Sequence, residues 1–312
     1  MFRLAHISDP HLGPLPEIDL ADLANKRIFG LVNWRRNRKY SHAPDVLQAL
    51  CDDIRAQGAD HVAVTGDLVN LGLPAEFVAA RAWLECFGAG RDVTVVPGNH
   101  DAYIPGALDD AADAWADFMS GDGADGEVAF PFVRRRGRVA LIGMSSAIPT
   151  APLMATGEIG GGQAAALASR LTSLKRSGHF RVILIHHPPE SPPIAWSRRL
   201  IDGDLFRRAV ADAGAELILH GHNHRTRVNS IPGRDGPVPV IGAAAASLSP
   251  RQPIRAGGSY CLFEIDDAAE HFSCRMIERG VRQAGGRVET LSEHRLAARV
   301  RKPAQPAALT HT

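Results

Sequence analysis

The feature that most constrains this chain is a set of short apolar runs, each stopped by a compact polar cluster. Leu4 to Ile7 leads into Asp9-Pro10-His11, His61 to Val64 into Gly66-Asp67, and Val93 to Val96 into Gly98-Asn99-His100-Asp101. Val182 to Ile185 leads into His186-His187-Pro188, and Leu217 to Leu219 into Gly221-His222-Asn223-His224. Runs this short, rich in aliphatic and β-branched residues and bounded by turn formers, read as buried strands. Val139 to Ile142 is a further one.

The intervening segments have helical spacing. Asp45 to Gln57 places Val46, Leu47, Leu50 and Ile54 on one face. Pro74 to Phe87, with proline in its first turn, is expected to carry Phe77, Val78 and Leu84 inward. Further helices are expected over Asp109 to Met119, Gln163 to Lys175 and Asp204 to Ala213. Strand and helix in alternation predict a layered α/β fold. After His224, Val238 to Ile241, Ser259 to Ile265 and His271 to Ile277 follow with only turns between, which suggests antiparallel strands forming a second sheet stacked on the first. From Gly280 the periodicity fades. Residues 1–279 are expected to form one domain and 280–312 a weakly ordered tail.

Composition excludes several classes. With 312 residues, 45% hydrophobic and 22% charged, the chain resembles an ordinary soluble globular protein. A net charge of +1 argues against a strong overall attraction to nucleic acid, and no specific nucleic-acid binding is expected. Cys51, Cys86, Cys261 and Cys274 lack metal-type spacing and read as small buried hydrophobes in a reducing compartment. No apolar stretch reaches the roughly 18 residues of a membrane span. Nor is there a secretory leader, so the expected location is cytoplasmic.

Residues 14–44 break the rhythm. Leu20, Leu23, Ile28, Phe29, Leu31, Val32 and Trp34 alternate with Lys26, Arg27, Arg35, Arg36, Arg38 and Lys39. This is either an amphipathic helix over a site mouth, with peripheral contact to the inner face of a membrane, or a helix packed on the domain with a solvated basic edge.

Each polar cluster falls at the carboxyl end of an expected strand, where open α/β sheets gather ligands in a crevice. Singly, Asp9, Asp67 and Asn99 are also ordinary turn residues. Together the clusters offer carboxylate and amide oxygens with imidazoles and no thiolate, a donor set for two divalent ions such as Mn²⁺, Fe or Zn²⁺. Two such ions about 3.5–4 Å apart can activate water and clamp a phosphoryl group. His6 and His220, inside strands, read as packed or supporting groups. His42, His61, His179, His271 and His294 have no motif context and read as surface or structural.

Asp-x-His, Gly-Asp, Gly-Asn-His-Asp, His two before Pro, and Gly-His-x-His, in this order, resemble the calcineurin-like metallophosphoesterase family over about Phe2 to Ile277. The resemblance implies two stacked mixed β-sheets flanked by helices, a four-layer α/β/β/α sandwich. It implies Asp9, His11 and His224 on one metal, Asn99, His186 and His222 on the other, and Asp67 bridging them. His100 would protonate or steady the leaving oxygen, with Asp101 and His187 in support. Attack would come in line from a hydroxide held between the cations.

Family members that act on phosphoproteins carry an arginine and an aspartate soon after Gly-Asp. Here Leu68-Val69-Asn70-Leu71-Gly72 follows instead, which argues against protein phosphatase activity. The Gly66-Asp67-Leu68-Val69 run and His186-His187-Pro188-Pro189 resemble the bacterial cyclic-nucleotide and glycerol phosphodiesterase branch. The expected substrate is a small phosphodiester, with a 3′,5′-cyclic nucleotide leading. A pyrophosphohydrolase of a lipid-linked nucleotide such as UDP-diacylglucosamine is the alternative, and a non-catalytic scaffold of the same fold is the alternative of another class. Residues 14–44, 148–162 and 188–200 are candidates for substrate recognition.

Overall fold

The computed structural model describes residues 1–38, 41–190, 195–250, 256–267 and 271–296. Two six-stranded sheets make up its centre. The first contains β1 (Phe2–Ile7), β2 (His61–Val64), β3 (Val93–Val95), β10 (Ser259–Asp266), β11 (Ser273–Val281) and β12 (Val288–Leu296), in the order β12-β11-β10-β1-β2-β3. The second contains β4 (Phe132–Arg136), β5 (Val139–Gly143), β6 (Phe180–Leu184), β7 (Leu217–His220), β8 (Arg227–Ile231) and β9 (Val238–Gly242), in the order β4-β5-β6-β7-β9-β8. Both are mixed: β1, β2 and β3 run parallel, as do β5, β6, β7 and β9, with antiparallel partners outside them.

Side-chain alternation assigns the layers. In the second sheet Val139, Leu141, Val182, Leu184, Leu217 and Leu219 face the first sheet and share its core. Their neighbours Ala140, Ile142, Ile183, Ile185 and Ile218 face outward, onto Leu167 and Leu171 of α5 (Gly160–Arg176) and Phe206 and Val210 of α6 (Gly203–Ala213). The first sheet is covered by α2 (Pro44–Ala56), α3 (Pro74–Glu85) and α4 (Ala107–Met119), through residues such as Leu50, Phe77 and Trp115. The four-layer α/β/β/α sandwich is therefore the fold.

Several expectations are corrected. The strands after His224 are not one block: β8 and β9 extend the second sheet, whereas β10, β11 and β12 complete the first. Hydrophobic runs mark strands but carry no sheet address. Residues 288–296, expected within a weakly ordered tail, are strand β12, paired with β11 from Cys274–Leu296 to Val281–Val288. Being an edge strand, it is mostly polar and gives no apolar signal; the tail beyond 296 lies outside the described residues. Val78 is 69% exposed, because the inward face of α3 follows Phe77, Ala80 and Leu84. Cys86 is exposed.

The 14–44 segment forms a short 3-10 turn (Leu20–Leu23), then α1 (Arg27–Asn33), continued by a π-helical stretch (Trp34–Arg38). Its basic residues are not all solvated. Arg27 is buried and donates to the carbonyls of Leu71 and Gly72. Lys26 Nζ donates to Thr150 O at 3.0 Å and lies over the Tyr103 ring. Among the described residues no helix is long and apolar enough to cross a membrane.

Candidate metal centre

All five polar clusters meet where the carboxyl ends of β1, β2, β3, β6 and β7 converge. Backbone hydrogen bonds carry the strand pairing on into the loops: Asp9 N donates to Gly66 O, His11 N to Asp67 O, and Gly221 N to His186 O. Ser8 bridges to Ala245, which ties the first sheet to the second at the site's edge.

The backbone there is unusual. Seven described non-glycine residues have positive φ, and Asp9, His11, Asp67, His222 and His224 are five of them. The left-handed region costs an ordinary side chain free energy, so its concentration in one place marks a site that the surrounding fold enforces. Glycines permit the close approach. A Cβ at Gly98 would collide with Asp67 Oδ1, and one at Gly221 with Ser8 Oγ.

Around Asp67 the donor atoms form two groups. One is Asp9, His11, Asp67 and His224, whose ligand atoms all lie within 4.8 Å of one another. His224 Nε2 is 3.2 Å from Asp9 Oδ1, and His11 Nε2 is 3.7 Å from Asp67 Oδ2. In the other, Asn99 Oδ1 is 3.2 Å from His186 Nε2 and 2.9 Å from His222 Nδ1, while His186 Nε2 is 3.5 Å from Asp67 Oδ1. Asp9, Asp67, His11, Asn99, His186 and His222 are all buried.

The outer nitrogens define the chemistry of the inner ones. His186 Nδ1 donates to Thr65 O at 2.6 Å, His222 Nε2 to Arg198 O at 3.0 Å, and His11 Nδ1 to Val69 O at 3.3 Å. Each ring then turns its lone-pair nitrogen inward, the orientation that supporting carbonyls impose on metal-binding histidines. His186 Nε2 and His222 Nδ1 face each other at 3.3 Å, with Asn99 Oδ1 between reach of both. Acceptor atoms converging on acceptor atoms repel unless a cation lies among them, so the residues fit a metal.

Charge supports this. Burial opposes ionisation of Asp9, but His224, His186 and the Ser8 hydroxyl together outweigh it and hold the carboxyl below the usual range. Burial pushes His222 well down, helped by His187 and His186, which keeps it in the neutral form that ligation needs. For His186 burial acts the same way, but Asp67, Asp9, the Thr65 carbonyl and Asp101 together raise its pKa, which shows the pull these acceptors exert on positive charge at that ring.

The remaining expected residues take supporting positions. Asp101 is fully buried and accepts four backbone N–H groups, from Asp67, Leu68, Val69 and Gly98, at 2.8–3.2 Å. It thereby fastens the β2 loop to the β3 loop. His100 is partly buried; its backbone N donates to Asp67 Oδ1 and its Nδ1 to Asn70 O, both at 2.7 Å. Its ring lies 4.9 Å from that of His11 and stacks on Tyr103. His187 turns away from Asp67 toward Ser146 Oγ and Ala155 O, but its ring lies 4.5 Å from that of His222. His42 was missed: its ring is 5.1 Å from that of His11 and 6.3 Å from that of His224. It arrives from the 14–44 segment without a motif, so spacing alone gave no signal for it.

The family model for calcineurin-like phosphoesterases matches residues 2–226, from β1 through the last histidine cluster. The chain belongs to the calcineurin-like phosphoesterase family. It is a metal-dependent phosphoester hydrolase. A cAMP/cGMP dual specificity phosphodiesterase of Mycobacterium tuberculosis is 27% identical over 266 residues, covering 83% of this chain and 71% of that protein. A dimetal phosphatase from Danio rerio superposes with a TM-score of 0.60 at 13% identity, covering 93% of this chain and 98% of its own. A purple acid phosphatase from yellow lupin (Lupinus luteus) seeds gives 0.60 at 12% identity, over 93% of this chain and 52% of its own. At such identities the two structures speak for the fold alone.

Proposed function

We propose that this phosphoesterase is a phosphodiesterase of small diesters, with 3′,5′-cyclic nucleotides as the leading substrate, and that it works with two divalent cations. The observation that carries the reading is the convergence of buried acceptor atoms from five strand ends on both sides of the Asp67 carboxylate. In this reading Asp9, His11, Asp67 and His224 hold one cation, and Asp67, Asn99, His186 and His222 hold the other. Oxygen and imidazole donors without thiolate suit Mn²⁺, Fe or Zn²⁺. When bound, such a pair supplies a water of lowered pKa and neutralises charge on the phosphoryl oxygens.

The chain's own residues do the rest. His100, steered by its Nδ1 bond to Asn70 O, gives a proton to the leaving oxygen. Asp101 keeps the Asp67 and Asn99 loops in register, and His187 backs the ring of His222. A diester carries one fewer negative charge than a monoester, which fits the absence of an arginine after Gly66-Asp67. The name of the mycobacterial relative supports the same substrate class. The test is a panel of cyclic nucleotides, bis(p-nitrophenyl) phosphate, monoesters and pyrophosphates, assayed after chelation and reconstitution with Mn²⁺. Diesters should give the highest kcat/KM; a preference for monoesters would overturn the reading.

One observation favours the lipid-linked alternative. Phe29 is 56% and Leu153 91% exposed, and both line a groove that also contains His100. Ile28 and Val32 of α1 are 46% and 43% exposed beside them. Binding of the protein to anionic vesicles, weakened by Arg35→Glu/Arg36→Glu, supports that reading; no vesicle binding at low salt removes it.

A further inference from the structure

Beside the metal cluster, at Asn223 and His224, opens a cavity of about 1140 Å³. Its wall carries Arg198, Arg207, Arg225 and Arg227 against a single carboxylate, Glu190, which is itself engaged by Asn229 Nδ2 at 2.8 Å. Arg198 Nη2 donates to His222 O at 2.9 Å and Arg207 Nη1 to Pro189 O at 3.0 Å, so two of the guanidiniums are positioned by backbone. Among the described residues none of the four arginines forms an ion pair. Arg207 is half-buried, and Arg198, Arg225 and Arg227 are exposed around the cavity.

A convex surface disperses such charges into water. Here four separate segments, the turn at Arg198, helix α6, the loop at Arg225 and edge strand β8, bring theirs to one concavity that meets the site at His224. Like charges held together repel, and the arrangement is stabilised by an anion. Planar guanidinium forks match phosphate and carboxylate oxygens in bidentate fashion, and phosphate is the group the phosphodiesterase reading already places in the substrate.

We propose that this cavity takes a second phosphate group carried by the substrate, so that the diester cleaved at the cluster bears a phosphomonoester-class anion on the portion lying beyond His224. This rests on the phosphodiesterase reading and narrows it to diesters with a second phosphate, in place of the single-phosphate cyclic nucleotides that reading puts first. An ordinary cyclic nucleotide, with one charge, would leave the cavity's arginines without a partner.

The test uses metal-reconstituted full-length protein hydrolysing bis(p-nitrophenyl) phosphate, inhibited in turn by the dinucleotide ApA and by its 5′-phosphorylated form pApA. The expected inhibition constant for pApA is lower by about tenfold or more, the effect of one good charge-assisted contact. In Arg225→Ala/Arg227→Ala the ratio should fall toward one, and in Arg225→Lys/Arg227→Lys much of it should survive. Because it is a ratio within one preparation, partial misfolding does not change it. Equal constants in the natural protein overturn the proposal while leaving the phosphodiesterase reading intact, as does a ratio that persists in the alanine variant. Failure to hydrolyse bis(p-nitrophenyl) phosphate at all removes that reading, and the proposal with it.

Discussion

The Asp67 carboxylate reaches both halves of the cluster, with Oδ2 toward His11 and Oδ1 toward His186, and it also accepts the His100 backbone N–H. Asp67→Asn keeps the shape and removes the charge. It should abolish turnover and weaken metal retention by more than the roughly 10–100-fold typical of losing an outer partner; turnover and metal content measured on the same sample check this, and near-normal activity contradicts it. His100 differs in kind, because its Nδ1 is held by Asn70 O, a backbone carbonyl that is not one of the clustered donor atoms. His100→Ala should lower kcat by about 10²–10⁴-fold with metal content unchanged. Loss of metal along with activity would make it a structural support instead. These residues were legible as candidates because each stands in a tight motif right after an apolar run. His42 was not, since its proximity to His11 depends on how a long loop returns to the sheet edge.

At the scale of elements, the sequence signal was strongest where a strand is buried on both faces, as in β2 and β6. It failed where charge enters a strand or where the strand is an edge. β4 contains Arg134, buried because its guanidinium donates to the carbonyls of Ser120, Val93, Asp117 and Gly90; a pattern of apolar residues cannot reveal such a strand. β8 and β12 are edges with exposed polar residues. β2 also holds His61, whose Nε2 bonds Thr94 Oγ1 at 2.7 Å while Nδ1 is buried with no partner among the described residues. Burial, with help from Arg136 and Arg134, pushes its pKa down to about 3. The unfolded chain therefore takes up a proton that the folded chain refuses, so the stability His61 contributes is complete above about pH 6.5 and declines as pH falls toward 3. Between pH 7 and 5 that decline is about 2 kcal/mol. In urea titrations His61→Gln should lose correspondingly less stability over this interval than the natural protein; an equal loss in both would contradict the assignment.

Over the whole molecule, the sandwich acts as a device for bringing distant loops together. Parallel strands β1, β2 and β3 of one sheet and β6 and β7 of the other end at the same edge, and the shared core between the sheets fixes their distance. Residues separated by more than two hundred positions, such as Asp9 and His224, thereby come within 3.2 Å. A layered α/β fold was readable from alternation of strand and helix and the four-layer arrangement from the family resemblance, whereas the division of the last five strands between two sheets was not, because it depends on long-range pairing. The most direct measurement is anomalous diffraction from crystals of the protein reconstituted with Mn²⁺ after chelation. The account predicts two peaks about 3.5–4 Å apart, one on each side of the Asp67 carboxylate. A single peak, or none at saturating metal, would contradict it.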